Sequence, residues 1–132
     1  DEEARLLSGE ANLVKAGRAI NHMGPSRVVI KRGEYGVLMV SRDGFFAAPG
    51  LPIEDVVDPT GAGDTFAGGF VGHLASSDTL TDDVYRQAVI CGSAMASLSV
   101  EDFGLSRLLG LAHEDIRGRY EAFKQLTSFK RL

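Results

Sequence analysis

Apolar positions in this chain change period several times, and each change marks an expected element. Leu13, Ala16 and Ile20 recur at helical spacing, and the run closes at Met23-Gly24-Pro25, where proline cannot carry a helix onward. Ser8, just upstream, is the expected N-cap of that helix. Residues 27–31 then hold Val28, Val29 and Ile30 in succession, the pattern of a strand buried on both faces. Two shorter strands are expected over 36–40 and 45–48, joined by Ser-Arg-Asp-Gly, whose Asp43-Gly44 suits a hairpin. A β-branched run over 53–57 stops at Asp58 and reads as another strand. Beyond a Pro/Gly turn, Phe66, Phe70 and Leu74 recur every fourth residue, which predicts a helix over about 61–75. Ser76-Ser77-Asp78 breaks the pattern, and Thr81 caps a helix expected to reach about Val100. A last helix places Ile116, Tyr120, Phe123 and Leu126 at helical spacing. Glu114 and Asp115 stand early in it and Lys130 and Arg131 late, each sign favourable to the helix dipole. Strands alternating with helices predict an α/β class. No internal repeat or low-complexity segment interrupts the pattern.

Composition narrows the function classes. A chain of 132 residues, 44% hydrophobic, has the apolar material for one domain of ordinary size. Its net charge of −4, without a basic stripe, argues against nucleic acid as a partner. No apolar run approaches a membrane span, and the acidic first residues are unlike a signal peptide. A single cysteine cannot close an internal disulfide, which points to a reducing, cytoplasmic setting. Cys91, in a helical stretch of small residues without basic neighbours in sequence, reads as buried filler. His22, His73 and His113 share no metal-ligand spacing.

The chemistry concentrates in residues 55–70, Asp-Val-Val-Asp-Pro-Thr-Gly-Ala-Gly-Asp-Thr-Phe-Ala-Gly-Gly-Phe. A strand feeding a glycine turn into a helix N-terminus makes an anion site, because unpaired N–H groups and the helix dipole both face outward there. Gly61 and Gly63 let the backbone approach a ligand where a Cβ would obstruct it. Asp64 stands in the first helical turn, a carboxylate beside that anion hole. A base held against developing negative charge is what phosphoryl transfer to a hydroxyl requires. The plain alternative is a Gly-rich turn with Asp64 as a helix-stabilising acid.

This stretch closely resembles the signature of the PfkB/ribokinase family of sugar and nucleoside kinases, Asp-Thr-x-Gly-Ala-Gly-Asp before an aromatic-containing helix. Pro59 replaces the commoner Thr and leaves Gly-Ala-Gly-Asp untouched. The resemblance implies that Asp64 is the catalytic base and that the N–H groups around Gly61, Ala62 and Gly63 hold the transferring phosphoryl group. It implies MgATP as donor, a sugar or nucleoside hydroxyl as acceptor, and a ribokinase-like three-layer α/β/α sandwich. Only the C-terminal part of such a domain is matched, so residues 1–132 are expected to be its nucleotide-binding and catalytic part, without the N-terminal part that reads the sugar. Such a fragment is expected to be inactive alone; homo-oligomerisation is left open.

Further positions follow from the resemblance. Lys31-Arg32-Gly33-Glu34-Tyr35-Gly36 stands where the family has Thr-x-Gly-x-x-Gly along the nucleotide; Gly33 and Gly36 match, and Lys31 exchanges a hydroxyl for a cation. Ordinary turn chemistry is the alternative there. The small residues of 88–99 lie where the family seats adenine, with Ser93 toward the base and a following loop that ends in Gly104; close helix packing would account for them equally. Asp58 and Thr60 occupy positions at which relatives bind a monovalent cation such as K⁺, and each also reads as turn chemistry. If Asn preceded Asp1, Glu3 would be the Glu of the family's Asn-x-x-Glu, which helps place Mg²⁺ and phosphate; a solvated acidic end is the plainer reading.

Two readings of other classes compete. Gly61-x-Gly63-x-x-x-Ala67 after a strand is a relaxed dinucleotide fingerprint, which would make this an NADP-binding oxidoreductase domain. That fold needs a second parallel strand ending in an acid on the ribose, and Asp78, at about the right distance, stands in a polar break. A non-catalytic binding module is the other, against which residues 58–66 look intact. A P-loop is excluded, since no Gly-x₄-Gly-Lys-Ser/Thr occurs.

Overall fold

Asn12, not Ser8, opens the first long helix. Its Oδ1 accepts the N–H groups of Val14 and Lys15 at 3.0 and 3.1 Å, while the Ser8 hydroxyl donates back to the Ala4 carbonyl at 2.6 Å. Ser8 ends a short helix, α1 (Glu2–Ser8), which stops at Gly9 in the left-handed region, φ 73°. A serine before a glycine therefore marked a helix C-terminus, where glycine tolerates the angle that terminates the turn. The structure, a computed structural model, describes residues 1–130, in two compact units that divide after Gly50.

The first unit continues with α2 (Leu13–His22) and a sheet of β1 (Arg27–Lys31), β2 (Val37–Ser41) and β3 (Phe45–Ala48), in the order β1-β2-β3 and antiparallel throughout. The register pairs Val28 with Val40 and Ile30 with Leu38, which puts four apolar side chains on one face. Ala16 and Ile20 of α2 and Ala4 of α1 form the core with Ile30, and Leu13, Val28 and Leu38 pack against it. Helix and sheet approach closely where Gly17 meets Val40; a Cβ there would lie 2.5 Å from Val40 Cγ2. The Ser41 N–H closes the expected hairpin onto the Gly44 carbonyl at 2.9 Å. Full burial of β1 on both faces is not found: Ile30 is buried, but Val28 and Val29 are half-buried. Three β-branched residues in a row suit a strand whichever faces are covered.

The second unit holds α3 (Ala62–Ala75), α4 (Asp82–Ser99), α5 (Ser106–Leu109) and α6 (His113–Thr127). The strand expected over 53–57 is irregular chain with a bend at Glu54 and no ladder partner among the described residues; Val56 and Val57 are exposed. A β-branched run states a preference, and pairing decides whether it becomes a strand. Its end is fastened nonetheless, since the N–H groups of Val57 and Asp58 both donate to the Val100 carbonyl, at 2.8 and 3.3 Å. Thr81 caps α4 as expected, its hydroxyl accepting the Val84 N–H at 3.3 Å.

Helices α3 and α4 meet through glycines. A Cβ on Gly92 would stand 2.7 Å from the Phe66 carbonyl oxygen, and one on Gly69 would stand 3.1 Å from the Cys91 carbonyl oxygen. Leu98 and Val89 of α4 and Phe123 of α6 are fully buried, and α6 packs on α4. Of the face expected on α6, Phe123 is buried, Ile116 and Tyr120 are half-buried and Leu126 is exposed. The helix ends at Thr127, so Lys130 stands beyond its last turn, in which Lys124 is the base. Arg131 lies outside the described residues.

Candidate active site

The turn into α3 is built on one glycine. Gly61 is the N-cap, at φ 81° and ψ −2°, in a region that costs a residue bearing a Cβ about 1–2 kcal/mol. The Ala62 N–H turns back to the Pro59 carbonyl at 3.2 Å, and the Thr65 N–H reaches the Gly61 carbonyl at 2.9 Å. Gly63 and Asp64 lie between them, in the first turn of α3. Asp64 stands in that turn and is exposed. Gly63 is already helical and holds no positive φ, so the unusual backbone angle belongs to Gly61 alone of the two.

Asp58 organises the approach to this turn. Its Oδ1 accepts the Thr60 N–H at 2.9 Å, closing a small loop of the kind Asp side chains make ahead of helices. The Thr60 N–H holds the carboxyl below the usual aspartate range, helped by the Thr60 hydroxyl and less strongly by the Gly104 N–H. Gly104 is itself left-handed, at φ 57°. The structure thus gathers Asp58, Thr60, Gly61, Ala62, Gly63 and Asp64 with the loop of residues 100–104, because Val100 anchors the backbone of Val57 and Asp58.

Ser93 is buried on α4 and its hydroxyl has no partner among the described residues. Its neighbour Gly92 is taken up by the contact with Phe66, so helix packing accounts for that part of the small-residue stripe. Lys31, Gly33, Gly36 and Glu3 belong to the first unit. Glu3 is exposed in the first turn of α1, and Lys31 is exposed at the end of β1. Gly33 opens a single 3₁₀ turn, Gly33–Tyr35, and Gly36 follows it, at φ 56° and 86°. A Cβ on Gly36 would fall 2.1 Å from the Ala48 carbonyl oxygen, so this glycine is required for chain packing whatever it binds.

Two features were not visible in the sequence. His73 Nδ1 lies 3.5 Å from Cys91 Sγ, across the α3–α4 contact and 18 residues away. Burial pushes the Cys91 thiol up, in keeping with a half-buried and unreactive side chain. The second feature is a chain of charges, Arg119–Glu101–Arg107–Asp115, running between the residues after α4 and helix α6. The alternation of signs is present in the sequence, but spacings of 6, 8 and 18 residues have no local period to reveal it.

The family model described as pfkB family carbohydrate kinase matches residues 1–109. The chain belongs to the pfkB family. Among curated relatives, a cytidine kinase of Thermococcus kodakarensis is 47% identical over 74 residues, covering 54% of this chain and 26% of the relative. An aminoimidazole riboside kinase from Salmonella enterica, solved with aminoimidazole riboside and an ATP analogue, superposes with a TM-score of 0.76 at 25% identity, over 96% of this chain and 40% of that one. A ribokinase from Thermotoga maritima gives a TM-score of 0.76 at 29% identity, over 92% and 40%. The fold is therefore part of the ribokinase-like α/β architecture. The pfkB chain spans about a quarter to two fifths of the length of the relatives it matches.

Proposed function

We propose that this pfkB chain forms the nucleotide-side and catalytic part of an ATP-dependent kinase that phosphorylates a hydroxyl of a sugar or nucleoside. One observation carries the reading: an exposed Asp64 in the first turn of α3, directly after a left-handed Gly61. In this reading the backbone N–H groups around Gly61, Ala62 and Gly63 receive the charge that spreads over the phosphoryl oxygens, the Ala62 N–H giving up its bond to the Pro59 carbonyl, assisted by the dipole of α3. Asp64 accepts the acceptor's hydroxyl proton. A carboxylate is a weak base toward an alcohol, so its help comes late, as the O–P bond forms.

Nucleotide contacts are assigned to Lys31, Gly33, Gly36, Ser93 and Gly104; the buried Ser93 hydroxyl, which has no partner among the described residues, supports this most directly. Mg²⁺ would arrive with the nucleotide. Among the described residues no three His, Cys, Asp or Glu side chains converge as a metal site, and Glu3 is a single exposed carboxylate. A monovalent cation such as K⁺ at Asp58 and Thr60 would have to share a carboxylate that already accepts the Thr60 N–H. The oxidoreductase alternative gains no support, because α3 leads to α4 and every strand pair among the described residues is antiparallel. A nucleoside acceptor is favoured by the cytidine kinase and aminoimidazole riboside kinase relatives.

The test is Asp64→Asn in the protein at its full natural length. Turnover should fall on the order of 10²-fold or more while ATP affinity holds, since the base is lost and the anion hole kept. Near-normal turnover would remove Asp64 from this role. A panel of pentoses, hexoses and nucleosides, assayed by ADP release, decides the acceptor class.

A further inference from the structure

Glu101 follows directly on Val100, the residue whose carbonyl holds the N–H groups of Val57 and Asp58. Its carboxylate is bridged on both sides: Oε1 accepts from Arg119 Nη2 of α6, and Oε2 faces Arg107 Nε at 3.5 Å. Arg107 Nη2 continues to Asp115 Oδ1 at 3.5 Å, and Asp115 Oδ2 accepts the Ala112 N–H at 2.9 Å, at the start of α6. Arg119 is the least exposed of these side chains, at 18%. Isolated ion pairs at a surface contribute little, but a partly buried run of four alternating charges fixes geometry better than its members do singly. The family match ends at residue 109, whereas Asp115 and Arg119 lie on α6 beyond it.

We propose that Glu101 and Arg119 are positioning residues, through which α6 fastens the loop of residues 100–104 and so sets the placement of the Asp58–Asp64 turn. Neither side chain touches substrate in this account; each acts through the backbone of Val100 and Val57. The consequence for function rests on the kinase reading above. The mechanical part does not, because a loosened loop exposes its amides whatever the protein catalyses.

The experiment uses the protein at its full natural length and three variants, Glu101→Gln, Arg119→Gln and the double variant, with Lys124→Ala as control. Lys124 pairs with Glu121 at 3.6 Å, both side chains exposed on α6, and among the described residues it makes no other ion pair. Hydrogen exchange should rise by about tenfold at residues 57–64 and 100–104 in both single variants. The interiors of α3 and α4 should keep wild-type protection. KM for ATP should rise by about 3- to 30-fold and kcat should fall with it, since the turn also carries Asp64, while the acceptor KM changes little. The double variant should be no worse than either single one, as expected when both changes break one link. Unchanged exchange in these two segments, or exchange raised equally through all four helices, would overturn the proposal. So would a fall in kcat with the ATP KM unmoved. If the wild type binds no nucleotide, the kinase reading fails and the exchange measurement alone still decides this one.

Discussion

The backbone angle at Gly61 and the carboxylate of Asp58 are the smallest parts on which the site depends, and each makes a separate prediction. Gly61→Ala should destabilise the protein by about 1–2 kcal/mol, because φ 81° is costly for any residue with a Cβ. Nothing lies within 4 Å of the position that Cβ would take, so the cost is conformational and not a clash. Thermal melting checks it; an unchanged melting temperature would mean that the turn readily adopts another shape. Asp58 predicts a pH effect whose sign is fixed by its neighbours. Its folded pKa is lowered, first by the Thr60 N–H. The stabilisation is therefore fully present above the unfolded value of about 3.9 and is lost as pH falls through the lowered folded value. The Thr60 amide proton, followed by NMR, should titrate with a midpoint below that of an ordinary aspartate. A midpoint at or above about 3.9 would show that the Asx turn does not hold in solution. The sequence made the residues of this site legible because Gly-Ala-Gly-Asp is contiguous. It could not say which glycine carries the strained angle, since both fit the same four letters.

At the scale of elements, α3 and α4 are joined by close backbone approach at Gly69 and Gly92. Gly92→Ala should cost about 1–3 kcal/mol, the range of overpacking in a tight core, because the added methyl meets the rigid Phe66 carbonyl. Gly72→Ala, on the same helix as Gly69 but in open space, should be neutral or stabilising through helix propensity. Paired denaturant titrations test the contrast, and equal costs would mean that the helices do not meet where the two glycines place them. Helices α2, α3, α4 and α6 were readable from their period, and α4 also from its Thr81 cap, because those signals are local. The strand expected over 53–57 was not borne out, since a ladder partner is not a local property. Ser8 misled for a related reason: a polar residue beside a glycine ends a helix as readily as it starts one, and only the direction of the hydroxyl's bond to Ala4 decides.

At the scale of the whole molecule, the chain aligns with only part of each relative's length. Phosphoryl transfer needs donor and acceptor held together away from water. The 132-residue chain by itself should therefore bind adenine nucleotide weakly at best and show no sugar- or nucleoside-dependent ADP release. Turnover at rates ordinary for kinases, about 1–100 s⁻¹, would show that these residues suffice for the reaction.

The glycine contact between α3 and α4 also sets a lever arm. Asp64 lies five residues before Gly69, about 7.5 Å along the axis at 1.5 Å per residue. Phe66, whose carbonyl abuts Gly92, lies only two residues away, about 3 Å. The close approach of the two backbones, flanked by the Met95 side chain at Gly69 and the Phe66 ring at Gly92, makes a stiff fulcrum. If α3 rocks by roughly 5° about Gly69, the backbone at Asp64 sweeps only about 0.7 Å. That stays inside the ångström or so at which misplacement begins to slow a reaction. Asp64 is thus mounted nearer the pivot than Ser76 at the other end of α3, which lies seven residues from Gly69, about 10.5 Å, and sweeps the wider arc.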